Sequence, residues 1–178
     1  MADRKNPYMR LIELCGVTQK KFGDKYGFAK ITLTYLSSGC YTKVSDRQSI
    51  SLGKECAEKG VEAKKFLQEE YGVSSLNEAY LAWRSEDRRV RAPSILAKAS
   101  PPFEGDSETS PLGNFVKDTT GSFQGFSKLL KLPPITMTRY LRGETAKVPD
   151  ALLSALEDVK YPHAKALFDA QAAWQEQH

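Results

Sequence analysis

Apolar residues recur along this chain in short bursts of helical period, each cut off by a glycine. Tyr8, Leu11, Ile12 and Leu14 make the first stripe behind Pro7, a residue suited to an opening helical turn, and Gly16 stops it. Thr18 is placed to cap a second helix running to Tyr26, with Phe22 and Tyr26 inward, and Gly27 ends it. A third helix is predicted over 29–37, where Leu33 and Leu36 are the buried pair and Gly39 the stop. Ser45 or Asp46 then caps a fourth, whose inward residues are Ile50, Leu52 and Cys56, closed by Gly60. Spans 61–71 and 76–89 read as two further amphipathic helices. Leu76, Ala79, Tyr80 and Trp83 stand at i, i+3, i+4 and i+7 on one face, which packs on the first domain or docks against the second domain or another subunit.

The same pattern then returns, shifted without a gap by 104 residues, as from Pro7 to Pro111. Identities include Phe22/Phe126, Ile31/Ile135, Thr34/Thr138, Gly39/Gly143, Lys43/Lys147, Asp46/Asp150 and Leu52/Leu156. Conservative pairs such as Thr18/Ser122, Leu33/Met137 and Leu36/Tyr140 fall on caps and core positions, where one fold would need them. The second half therefore predicts helices over 112–119, 122–131, 133–142 and 149–159, then a last one from Pro162. Helices 61–71 and 76–89 have no clear counterpart there. Span 91–111, with four prolines and a small acidic cluster, reads as a linker; as a flexible coil it would span about 25 Å. The expected fold is all-α, two small helix-turn-helix domains over 1–90 and 112–178.

Charge sharpens the picture by its placement. Lys and Arg total 26 against 22 Asp and Glu, an ordinary balance. Yet 17–48 holds six basic residues to two acidic, and 121–149 holds five to one, so positive charge gathers on the repeated segments. Arg84, Arg88, Arg89 and Arg91 form a further basic run, either a solvated helix end or a backbone contact. Cys15, Cys40 and Cys56 lack metal-site spacing, and Cys15 and Cys56 lie on apolar stripes as small core residues. With no apolar run of membrane length and no signal-like start, the expectation is a cytoplasmic protein without a membrane partner.

The stretch GVTQKKFGDKYGFAKITLTYLSSG, from Gly16 to Gly39, resembles the helix-turn-helix of the phage repressor, Cro and restriction-controller (XRE-type) superfamily. The second copy, ending ITMTRYLRG, resembles it less closely: Phe123 stands where the first copy has Gln19, and Pro133-Pro134 open its third helix. The resemblance implies that Thr18 and Gln19, and Ser122 and Phe123, sit at the backbone-contacting turn, with Gln124 taking the phosphate contact that Phe123 cannot make, and that Lys43 and Lys147 touch phosphate; plain loop charge is the alternative for the lysines. An α-helix fits the major groove, where its exposed side chains meet base edges. On the first reading helix those positions are Lys30, Ile31, Thr34, Tyr35 and Ser38, and on the second Pro134, Ile135, Thr138, Arg139 and Arg142. Lys30 and Arg139 suit guanine, and Ile31 and Ile135 suit thymine methyls, with a solvated charge and a core position as the respective alternatives.

The two reading helices differ in their exposed residues while their cores agree, which implies an asymmetric or composite site rather than a palindrome. The expected function is a sequence-specific double-stranded DNA-binding transcriptional regulator, repressor-like, of phage or mobile-element type. No enzyme chemistry and no cofactor is expected; further partners would be a second copy of the chain or a host or phage regulatory protein. Two alternatives stand beside it, an antirepressor-like protein-interaction module and an architectural or recombination accessory protein of low sequence selectivity.

Overall fold

The structure is a computed structural model that describes residues 5–106, 108–141 and 148–177, with the backbone alone at 134–136 and 141. Among the described residues it is all-helical, with no strand. The helices are α1 (Pro7–Leu14), α2 (Gln19–Tyr26), α3 (Lys30–Ser38), α4 (Asp46–Glu58), α5 (Ala63–Tyr71), α6 (Leu76–Leu96), α7 (Pro111–Thr120), α8 (Phe123–Leu130), α9 (Pro134–Leu141), α10 (Asp150–Asp158) and α11 (Ala164–Gln175). None is long and apolar enough to cross a membrane. Two compact units divide the chain, Met1–Asp87 and Arg88–His178, and the division falls inside α6.

The starts of α1, α2, α3 and α4 recur in α7, α8, α9 and α10 at the sequence offset of 104 in all four cases. Local chemistry repeats with them. Thr18 and Ser122 are the N-caps of α2 and α8, accepting from the amides of Lys21 and Gly125. Gly27 and Lys131 end those helices in the left-handed region, at φ 68° and 56°. Each unit closes its own core. Tyr8, Leu11, Ile12, Phe22, Leu33, Leu36 and Leu52 pack in the first with Tyr80 and Trp83 of α6, while Leu112, Phe115, Val116, Phe126, Met137, Tyr140 and Leu156 pack in the second. Burying each such side chain contributes about 1.5–3 kcal/mol.

The face of Leu76, Ala79, Tyr80 and Trp83 packs on the first unit's core. After α10 comes α11, as α5 follows α4, with Leu167 and Leu67 buried in each, but α11 does not keep the offset of 104.

Three expectations are corrected. Span 91–111 is not a coil: α6 continues to Leu96, and Ala92, Leu96 and Ala99 are buried in the second core. Phe103 meets Phe115 edge-on at 5.7 Å, Trp174 Nε1 donates to the Asp106 carbonyl at 2.8 Å, and Asn114 Nδ2 donates to the Glu104 carbonyl at 2.9 Å. Small residues at helical spacing supply the stripe that the prolines and serines obscure. Arg88 is not part of a solvated run. It is 8% exposed, donating from Nε to Asp158 Oδ2 (3.0 Å) and from Nη1 to the Leu130 carbonyl (3.4 Å), while Arg89 Nε reaches Asp158 Oδ1 at 2.5 Å.

Ile50, expected inward, is 59% exposed. The buried stripe of α4 runs instead through Gln48, Ser51, Leu52, Glu55 and Cys56. Gln48 completes a capping box with Ser45, and Glu55 Oε2 takes Lys25 Nζ (2.5 Å) and Tyr26 Oη (2.9 Å), so polar side chains are satisfied where hydropathy expects apolar ones. At the equivalent positions the second unit has Leu129, Leu130 and Val159. A polar trio of which only the Glu55 carboxylate is deeply buried thus stands in the first unit where the second has an aliphatic trio.

Candidate nucleic-acid interface

The candidate surface of the first unit is built from α2, the turn 27–29 and α3. A tight crossing between the helices depends on Gly23, where a Cβ would come within 3.0 Å of Leu33 Cδ1 and 3.1 Å of the Phe28 carbonyl. Phe22 anchors α2 from below, tilted against Tyr26 at 4.8 Å, parallel to Phe28 at 6.0 Å and edge-on to Tyr8 at 6.1 Å. Arg47, at the start of α4, holds the turn: Nη2 donates to the carbonyls of Tyr26 (3.0 Å) and Gly27 (3.3 Å), and the guanidinium lies 5.0 Å over the Phe28 ring.

At its far end α3 closes with a Schellman motif, in which Gly39 is at φ 78° and the Cys40 amide donates to the Tyr35 carbonyl at 2.9 Å. Asn6 ties that end to α1. Its Oδ1 caps α1 by accepting from the amides of Tyr8 (2.9 Å) and Met9 (3.4 Å), and its Nδ2 donates to the carbonyls of Leu36 (2.8 Å) and Ser37 (3.2 Å). Asn6 and Arg47 were not singled out by sequence. An Asn before Pro7 is a legible cap, but its second partner lies 30 residues away and has no local signal.

Leu33 and Leu36 form the buried side of α3, and Lys30 and Ile31 are exposed on the other, Ile31 at 52%. The alternative reading of Ile31 as a core residue is thereby excluded. Thr34, Tyr35 and Ser38 are half-buried. Thr34 Oγ1 donates to the Lys30 carbonyl, Ser38 Oγ donates to the Tyr35 carbonyl, and Tyr35 meets Tyr41 edge-on at 5.9 Å. The hydroxyl protons of Thr34 and Ser38 therefore serve the helix. Between α2 and α3 lies a groove of about 450 Å³ with Lys20 and Lys30 at its rim and Phe28 and Leu33 in its floor. Thr18 is exposed at the head of α2, Gln19 is half-buried with Nε2 donating to Met9 Sδ, and Lys43 is exposed in the loop after α3.

Two charges counted in the basic segments are engaged or buried within their own units. Lys25 is engaged by Glu55 and Glu58, and Lys131 is 6% exposed. Lys25 is the foremost cause holding the Glu55 carboxyl below its ordinary range, against the opposing pull of burial, and the Tyr26 hydroxyl adds to it.

In the second unit Ser122 and Gln124 are exposed, Arg139 is exposed and Thr138 half-buried on α9. Phe123 packs partly onto the core. Ile135 and Pro134 are described in backbone only, and Arg142 and Lys147 lie outside the described residues. No protein-family model, no curated protein and no solved structure matches the chain.

Proposed function

We propose that the chain is a sequence-specific double-stranded DNA-binding regulator of repressor type, with α2–α3 and α8–α9 acting as two helix-turn-helix elements that read unlike half-sites. The observation that carries this reading is the fourfold recurrence of helix starts at one offset, with the N-cap, the left-handed stop and the core repeated, while exposed positions differ. Thr18 and Ser122 leave the first amides of their helices directed outward, where the helix dipole favours phosphate. Lys30 and Ile31 on α3, and Arg139 on α9, have the chemistry to meet guanine and thymine edges. Lys20, Lys21 and Lys43 supply the backbone charge around α3.

Enrichment from a randomised duplex pool tests the proposal. A defined, non-palindromic sequence is expected, retained over random duplex as salt rises. Lys30→Ala then weakens binding to that sequence by about 1–3 kcal/mol and relaxes the preference at one base pair. Failure to enrich any sequence, with duplex affinity absent at low salt, refutes the reading.

A second reading is favoured by Phe123, which cannot donate to phosphate and occupies the position of Gln19. In it, the second unit docks a protein while the first reads DNA. Arg139→Ala separates the two: loss of affinity confined to one half of the enriched site supports two readers, and an unchanged footprint supports one.

A further inference from the structure

We propose that Cys15 and Cys56 form a dithiol pair which peroxide converts to an intrachain disulfide, clasping the end of α1 to α4 around the α2–α3 pair. The two sulfur atoms lie 3.6 Å apart in the first core, in hydrogen-bond contact, with Cys15 5% and Cys56 2% exposed. Cys15 is the C-cap of α1 and Cys56 lies near the end of α4, two helices that pack on each other. Closing from 3.6 Å to a bond of about 2.05 Å brings the sulfurs together by about 1.5 Å.

Packing alone does not demand a thiol at Cys15. The residue 104 positions on is Thr119, also buried, so that place accepts another side chain. Cys40, in the loop after α3, has its Sγ 3.2 Å from Ser38 Oγ.

The chemistry needs only a small two-electron oxidant. Cys15 gives up its proton, and its sulfur attacks one peroxide oxygen as the O–O bond breaks, yielding a sulfenic acid and water. Cys56 sulfur then attacks the sulfenic sulfur, the S–O bond breaks, and a second water leaves with the Cys56 proton. Both sulfurs are oxidised and the peroxide is reduced. Cys15, the more exposed of the two, is the sulfur that meets the oxidant; burial pushes both thiols up, Cys56 to about 12, so the first step is slow. The bond closes a loop between residues 41 apart that contains all of α2 and α3, so it restricts the unfolded state of the first unit.

The full chain is treated with hydrogen peroxide, quenched with catalase, unfolded in guanidinium with iodoacetamide and digested without reduction for mass spectrometry. The expected product is a linked peptide containing Cys15 and Cys56, two hydrogens lighter than its parts, lost on addition of dithiothreitol and retained in Cys40→Ser. Cys40 itself is expected to be alkylated. Alkylation of both Cys15 and Cys56 after treatment overturns the proposal, as does oxidation of either to the sulfinic acid or a link through Cys40. In parallel, the urea midpoint of the first unit, read from Trp83 in a Trp174→Phe background, rises on oxidation and returns with dithiothreitol; an unchanged midpoint in cross-linked protein refutes the clasp.

Discussion

Replacing Asn6 with alanine removes two kinds of bond at once, and the structure lets them be weighed separately. Asn6 is 6% exposed; its Oδ1 caps α1, and its Nδ2 holds the carbonyls of Leu36 and Ser37 at the end of α3. Loss of the cap costs about 1 kcal/mol. Leaving a buried backbone acceptor short of a donor costs about 1–3 kcal/mol, and the low end applies because the Leu36 carbonyl also accepts from the Gly39 amide at 3.2 Å. Asn6→Ala should therefore destabilise the first unit by about 2–3 kcal/mol. Asn6→Ser should cost only about 1–2 kcal/mol, because a serine hydroxyl can keep the cap while it is too short to reach α3. Ser110 does this for α7, accepting from the Gly113 amide at 3.1 Å. Trp83 is a core residue of the first unit and Trp174 belongs to the second, so urea unfolding of a Trp174→Phe background reports the first unit alone. With a slope of about 1 kcal/mol per molar urea, the alanine variant lowers the midpoint by about 2–3 M. A shift under about 0.5 M, or a serine variant no more stable than the alanine one, would refute the double role.

Two further outcomes follow from the ion pairs. The Glu55 carboxyl has a folded pKa below its unfolded one, so its contribution is present above the ordinary glutamate range and is lost as pH falls through the lowered folded value. The stability gap between the parent and Glu55→Gln, measured by the same fluorescence, should narrow in acid below about pH 4, and a gap independent of pH contradicts the assignment. In the second unit, Arg88→Gln removes the buried partner of Asp158 and should cost about 2–4 kcal/mol, whereas Arg89→Gln, at a side chain 63% exposed, should cost under about 1 kcal/mol. Equal effects in a Trp83→Phe background, where Trp174 reports, would show that burial does not separate the two arginines.

Much of the local structure was legible because it is written in short-range chemistry. Pro7 and Pro111 open helices, Thr18, Ser45 and Ser122 cap them, and Gly16, Gly27, Gly39 and Gly72 adopt positive φ where chains leave them. The exposed side of α3 was legible for the same reason: Leu33 and Leu36 set a buried stripe, and Lys30 and Ile31 stand off it. Where the reading failed, it failed on composition. Prolines and serines hid the helical spacing of Ala92, Leu96 and Ala99, and a lone isoleucine outweighed Gln48 and Glu55 in the choice of which face of α4 is buried.

The sequence by itself determined where α1 to α4 begin and stop, and the repeat that places four helix starts at one offset, since each depends on residues a few positions apart. Only the tertiary structure decided which charges are available. Lys25 meets Glu55 across 30 positions and Arg88 meets Asp158 across 70, so neither remains a simple surface cation. It also decided that Asn6 fastens α3, that Arg47 covers Phe28, and that the two core thiols touch. These pairings join segments with no shared periodicity, and a polar side chain carries no mark of its distant partner until the packed core brings them together.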